Sequence, residues 1–227
     1  MPAMLRQAAI TIAALALGAC SMVPGSDRSS RPTQGGSGAP NISRSQAAGQ
    51  CFARLGAAGV SFTPLPDRYP EQGCSNIGTV QMRAVASDTA SLPVANLGPV
   101  TCEVSQAFAA WARFGADRAA RQIMGQPLRS IETFGSYSCR DVAGTGRRSA
   151  HATAAAIDIS AFVLQDGRRI TVREGWDGGD RAERQFLRIV HESACKRFAT
   201  VLGPEYNAAH RDHLHVEGVI SGKSYCR

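Results

Sequence analysis

Six cysteines, Cys51, Cys74, Cys102, Cys139, Cys195 and Cys226, run through the chain from residue 51 almost to its last position, and no two of them form a CxxC pair. Their chemistry depends on the compartment. In an oxidising one, an even set becomes a disulfide framework that must draw distant segments together. In a reducing one, the same thiols are free to ligate metals or act as nucleophiles.

The beginning of the chain decides between these. MPAMLRQAAITIAALALGAC carries one arginine and then an apolar run from Ala8 to Ala19. That run is too short to span a bilayer and fits an export signal. It ends in Leu17-Gly18-Ala19-Cys20, which resembles a bacterial lipobox. Residues 1–19 are therefore expected to be a lipoprotein signal peptide and Cys20 the lipidated residue. An ordinary secretion signal with a coincidental cysteine is the alternative. Ser21, in place of an aspartate, points to anchoring in the outer membrane, facing the periplasm. With Cys20 set apart, the other six cysteines are expected to form three disulfides, with Cys51 and Cys74, the most local pair, bonded to each other.

Residues 20–45 continue as SMVPGSDRSSRPTQGGSGAPNISRS after the cysteine, almost without large apolar side chains. Such a stretch cannot bury enough surface to offset its ordering entropy and reads as a linker. The folded domain is expected over 46–227. Hydrophobic content of 44% and charged content of 19% fit a globular domain and exclude global disorder. The formal charge of +7 suits an anionic surface or an acidic polymer such as peptidoglycan. No basic block is interleaved with aromatic residues, so nucleic acid is not an expected partner.

Apolar periodicity predicts helices over 46–56, 103–124 and 180–198, and strands over 78–85, 128–134, 156–164 and 213–219. Gln165-Asp166-Gly167 predicts a tight turn into a further strand near 169–172. Two main helices with several short strands indicate an α+β fold with a mostly antiparallel sheet and flanking helices.

HRDHLH, residues 210–215, holds three of the five histidines in the chain. In a strand, His213 and His215 face the same side, and His210 can reach the rim of the same site. A second feature is Asp158, set in the apolar run 154–162 seven residues after His151. A buried carboxylate must be paired, hydrogen-bonded or on a metal. The alternative to a ligand role is an ion pair with Arg147 or Arg148. His191-Glu192-Ser193-Ala194-Cys195 begins like HExxH but lacks the second histidine, which assigns His191 to a helix surface. Two imidazoles and a carboxylate would suit zinc and leave a fourth position open, as catalytic sites require.

Ser149-x-His151, Ala156-x-Asp158 and the distant His213-x-His215 together resemble the LAS metallopeptidases. This group includes D-alanyl-D-alanine carboxypeptidases and penicillin-insensitive murein endopeptidases, and the Hedgehog signalling domain shares its fold. SYSCR, IDISAFVLQDG, the helix ending in AC, and VLGPEYNAAHRDHLH resemble more closely the extensin-like C-terminal domain family of bacteria, over roughly residues 48 to 227. The resemblance implies a Hedgehog/DD-peptidase-like fold with Zn2+ held by His151, Asp158 and His215. His210 would be the general base, and His213 would stabilise the reacting carbonyl. Arg140 would hold a carboxylate or an oxyanion, and Ser149 would support His151 or the substrate backbone. Relatives carry glycine where this chain has Ala154, which puts the geometry of that loop in question.

The implied activity is a periplasmic zinc-dependent peptidase or amidohydrolase acting on peptidoglycan stem peptides or cross-links, tethered to the membrane by its lipid. Two other readings follow from the same residues. One is a non-catalytic, zinc-stabilised module that binds peptidoglycan. The other is a Cys–His hydrolase using Cys139, which would leave an odd number of cysteines for disulfides.

Overall fold

The computed structural model describes residues 46–227. The signal peptide, Cys20 and the linker expected before them lie outside the described residues. The first helix, α1 (Gln46–Ala57), buries Cys51 and Leu55. Four strands follow: β1 (Ser61–Pro64), β2 (Arg68–Glu71), β3 (Cys74–Asn76) and β4 (Thr79–Ala86). β2 and β3 form a small separate ribbon. Next come β5 (Ser91–Ala95), β6 (Pro99–Thr101) and helix α2 (Cys102–Trp111). The region 112–124 continues α2 through two wide, π-type segments, Ala112–Asp117 and Ala120–Met124. The helix expected over 103–124 is therefore helical throughout, but its second half is not regular α-helix. The widened turns lie where it meets a later helix. There, a Cβ on Gly115 would stand 2.3 Å from Ser193 Oγ and 3.0 Å from Trp111 Cδ1, so glycine lets the two helices pack this closely without displacing those side chains.

Strand β7 (Leu128–Gly135) leads to β8 (Ala156–Leu164), which turns through Gln165–Arg168 into β9 (Arg169–Thr171). A short helix α3 (Val172–Gly175) precedes α4 (Arg181–Ala194), which starts with a capping box between Asp180 and Glu183. The two reciprocal hydrogen bonds of that box satisfy backbone donors that would otherwise be orphaned. Strands β10 (Thr200–Leu202), β11 (Leu214–Glu217) and β12 (Tyr225–Cys226) complete the chain. Among the described residues the main sheet runs β1-β4-β5-β7-β8-β11-β10-β12, with β6 beside β4 and β9 beside β8. All pairings are antiparallel except β5 with β7 and β10 with β12. The fold is α+β, with helices flanking a large and mostly antiparallel sheet. No helix among the described residues is long and apolar enough to cross a membrane.

One face of the sheet carries the core. Phe108 and Trp111 of α2 pack with Phe162 of β8 and Phe186 of α4. Trp111 Nε1 donates to the carbonyl of Val190 at 3.0 Å, joining the two helices. Burial follows alternation along β8 only in part. Ile157 and Ile159 enter the core, and so do Phe162 and Leu164. The parity changes at a bulge: Thr133 pairs with Ile159 but Glu132 pairs with Ala161, so β8 has one residue more than its partner there. Such an extra residue re-aims the side chains on either side of it. Here it lets Asp158 and Ser160 face away from the core while the hairpin end of the strand still buries Phe162.

Three disulfides brace this frame: Cys51–Cys102, Cys74–Cys139 and Cys195–Cys226. The expected Cys51–Cys74 pair does not form. Cys51 lies on the buried face of α1, which packs on α2, and meets Cys102 at the first turn of α2 from 51 residues away. Helix packing outweighs proximity in sequence. Cys139 is bonded to Cys74, which leaves no thiol for a Cys–His hydrolase.

Candidate metal centre

His151 is placed by a short turn. Ser149 Oγ accepts the backbone N–H of His151 at 3.3 Å and so caps a single 3-10 turn, Ala150–Thr153. The turn ends at Ala154 in the left-handed region, φ 54° and ψ 26°. This is the conformation that glycine adopts without strain, and it places alanine at a cost of about 1–2 kcal/mol. The Ala154 carbonyl accepts from Thr101 N–H at 2.9 Å, and two residues later β8 begins. The turn thus delivers His151 and Asp158 to the same face. The loop 136–140 brackets the histidine from the other side. Ser138 N–H donates to the His151 carbonyl at 3.0 Å, and the His151 Nδ1–H donates to the Ser136 carbonyl in a short bond.

His215 arrives on β11, directly opposite Asp158 in the antiparallel register. Its Nδ1 stands 2.9 Å from Asp158 Oδ1 and 3.2 Å from His151 Nε2. His151 Nε2 stands 3.2 Å from Asp158 Oδ2. His151 and His215 are only 3% and 7% exposed. The sequence had offered Arg147 or Arg148 as the ion-pair partner of Asp158. Arg148 instead pairs with Glu71 and Asp141, and among the described residues the ion-pair partners of Asp158 are His151, His213 and His215.

The hydrogen bonds on the far sides of the rings define what the near sides present. His151 Nδ1 faces a carbonyl, so it carries the hydrogen and leaves a lone pair on Nε2. His215 Nε2 faces Glu217 Oε2 at 3.3 Å, which directs the lone pair to Nδ1. Two imidazole lone pairs and a carboxylate therefore point at one another in a buried space. Three acceptors converge this way only around a cation, which is either a proton or a metal. Ligands about 2.1 Å from a tetrahedral Zn2+ stand roughly 3.4 Å apart. The three separations found here are close to that spacing, and the outer Ser136 carbonyl and Glu217 carboxylate match the usual partners of metal-bound histidines. The donor set fits a metal ion such as zinc.

The electrostatics of the metal-free site express the same convergence. Burial opposes charge on both His215 and Asp158. It is outweighed by the hydrogen bonds between them and by Glu217, which push the His215 imidazole up to about 9. The carboxyl of Asp158 is held well below the usual carboxylate range by His151 and His215. Glu217 is lowered as well, chiefly by His215.

The other expected site residues gather around this centre. His213 precedes β11 rather than lying within it. It still approaches Asp158 Oδ1, at 3.5 Å, while its Nδ1 meets Asp212 Oδ1 at 2.9 Å. His210 ends a second 3-10 turn, Ala208–His210, capped by Asn207. Its Nδ1–H donates to Asn207 Oδ1 at 2.7 Å, which leaves Nε2 as the acceptor. The ring lies 5.1 Å from that of His213 and 5.8 Å from that of His215, centre to centre. Burial, then the neighbouring His213 and His215, push its pKa down to about 4. The charge of Arg140 also reaches His210, although the arginine itself is exposed. His191 is not brought here. It is half-buried on α4, with Nε2–H donating to the Arg227 carbonyl at 3.1 Å.

Reasoning from residue types missed Glu217, Asn207, Asp212 and the Ser136 carbonyl. The period-two spacing of 213, 215 and 217 signals Glu217, and Asn207 has the spacing of an N-cap three residues before His210. A backbone carbonyl leaves no trace in residue identity.

Residues 49–227 match the family model described as extensin-like protein C-terminus. The chain belongs to this family. The matched span of this extensin-like domain holds all three converging ligands together with Arg140, Ser149, His210 and His213. Comparison with curated proteins and with solved structures returned no match.

Proposed function

We propose that this extensin-like protein is a zinc-dependent hydrolase of amide bonds in peptidoglycan peptides, held at the periplasmic side of the envelope by a lipid on Cys20. The observation that carries the metal reading is the convergence of His151 Nε2, Asp158 and His215 Nδ1, with each histidine oriented from behind. The resemblance to the LAS peptidases supports the choice of substrate, and the lipobox supports the location.

A bound Zn2+ would polarise the scissile carbonyl and lower the pKa of an attacking water. The chain supplies the rest. His210 is neutral at pH 7, and its Nε2 is the acceptor that takes a proton from the water and returns it to the leaving amine. Asn207 fixes that tautomer. His213, held between Asp158 and Asp212, would help orient the reacting carbonyl at the edge of the site. Arg140 adds positive charge at the rim. Ser149 positions His151 through the backbone.

The test is incubation of the zinc-loaded protein with purified peptidoglycan, followed by mass spectrometry of released fragments. New peptide termini are expected from the native protein and none from His210→Ala, with zinc content unchanged between the two. No cleavage by a folded, zinc-loaded protein would sink the hydrolase and favour a peptidoglycan-binding module.

A further inference from the structure

A cleft of about 180 Å³ opens beside the metal ligands, lined by Phe134, Ser160, Thr171 and Arg173 among others. It meets a second of about 420 Å³ formed by Arg173, Asp212, Arg211 and the Ala208–Ala209 turn. Both lie next to the site. Ser160 lies two residues from Asp158 on the same face of β8, Asp212 bonds His213, and Phe134 meets the His213 ring edge-on at 6.0 Å. Phe134 is 61% exposed, so its ring is free to lie against a bound chain.

The charges lining the clefts are unequally committed. Arg169 is held by the Glu132 carboxylate at 2.7 Å. Glu174 accepts from the Thr171 hydroxyl at 3.2 Å, and Asp212 is engaged by His213. The guanidinium groups of Arg173 and Arg211 make no hydrogen bond or ion pair among the described residues, and both side chains are exposed. Two uncommitted guanidinium groups thus line the clefts, beside carboxylates that accept from Thr171 and His213. Guanidinium groups of this kind select planar anions, above all carboxylates.

We infer that the double cleft is a specificity subsite for a peptide bearing an acidic side chain next to the bond presented to the metal. Arg173 and Arg211 hold the carboxylate, and Phe134 covers the adjoining backbone. The inference rests on the reading of the site as one that takes peptides, and it makes these residues determinants of binding, not of bond cleavage. The second cleft, at about 420 Å³, lies within the range of about 300–1,000 Å³ found for ligand pockets and can take a short peptide segment.

The experiment measures binding of two probes, N-acetyl-Ala-Glu-Ala-amide and N-acetyl-Ala-Gln-Ala-amide, to the zinc-loaded full chain in detergent by titration calorimetry. Charge-assisted hydrogen bonds predict about tenfold tighter binding of the Glu peptide. The preference should disappear in an Arg173→Gln/Arg211→Gln double variant and survive in Arg181→Gln, an exposed arginine elsewhere. Both substitutions lie on the surface, and an unchanged melting temperature verifies the fold. Equal affinity for the two probes, no binding of either, or a preference that persists in the double variant would overturn the inference. Discrimination without any cleavage of peptidoglycan would leave the subsite standing and remove the hydrolase. Cleavage without discrimination would do the reverse.

Discussion

Among the described residues, two clusters bring a histidine together with two other residues of metal-binding type, and only one of them turns its acceptor atoms towards a common point. Around His191, Cys195 and Cys226 are tied to each other in a disulfide, so neither offers a thiolate. The imidazole Nε2 is occupied by the Arg227 carbonyl, and the ring packs edge-on against Trp176 at 5.6 Å. Burial lowers its pKa. Around His151, Asp158 and His215 the hydrogen-bond donors point outwards to Ser136 and Glu217, and the acceptors point inwards. The difference lies in where the lone pairs go. Both clusters gather side chains of metal-binding type within reach of one another, but only inward-facing lone pairs in a buried space demand a cation.

The sharpest way to break this contrast is to remove a ligand from each cluster. Asp158→Ala should lower zinc affinity by more than about 100-fold, since loss of an outer partner alone costs about 10–100-fold. His191→Ala should leave zinc affinity unchanged. Competition with a chromogenic chelator reads both. Comparable losses in the two variants would mean that the centre has been misplaced.

Zinc binding should also release a proton, because His215 keeps one in the metal-free protein up to about pH 9. The apparent affinity should rise with pH to that point and then level off. In the metal-free protein the same raised pKa has the opposite sign for stability. Its contribution is fully present below the ordinary histidine value of about 6.5 and is lost as pH rises through about 9. Calorimetry in buffers of different ionisation enthalpy counts the protons. An affinity flat between pH 6 and 9 would contradict the inward lone-pair arrangement.

Glu217→Gln sharpens the comparison further. It keeps a partner for His215 Nε2 but removes the charge, and zinc affinity should fall by about tenfold. The fold should be unaffected at this half-exposed position. No change in affinity would demote Glu217 to a surface contact.

The smallest effect is expected at Ala154. Glycine would relieve about 1 kcal/mol or more of left-handed strain. It would lose about 0.8 kcal/mol for a buried methyl and some further stability to chain entropy. The net change in stability should be less than about 1 kcal/mol by denaturant unfolding. A larger shift in either direction would show that the Ala154 methyl matters to the packing under the His151 turn.

Local pattern made the long elements legible. The apolar runs of Ala156–Leu164 and Thr79–Ala86, and the helical spacing of α4, show directly in the residues, because each buries enough positions in one continuous stretch to stand out. The short strands β1, β2, β3, β5, β6, β10 and β12 have five residues or fewer, and no period survives at that length. The sequence also singled out His151, Asp158, His210, His213 and His215, since an acid within an apolar run and a histidine cluster are each uncommon.

What only the tertiary structure decided was relation. The bulge in β8 turned Asp158 outwards while Phe162 stayed in the core, and the β8–β11 register set His215 against it. The packing of α1 on α2 chose Cys102 over Cys74 as the partner of Cys51. Ser136 acts through a backbone carbonyl that any residue would carry, and His191 was set apart from the centre by a carbonyl and a tryptophan ring. The sequence by itself determined which side chains could bind a metal, because that is a property of each residue. Whether their lone pairs meet depends on strand register and on the partner behind each ring, and these exist only once distant segments have packed together.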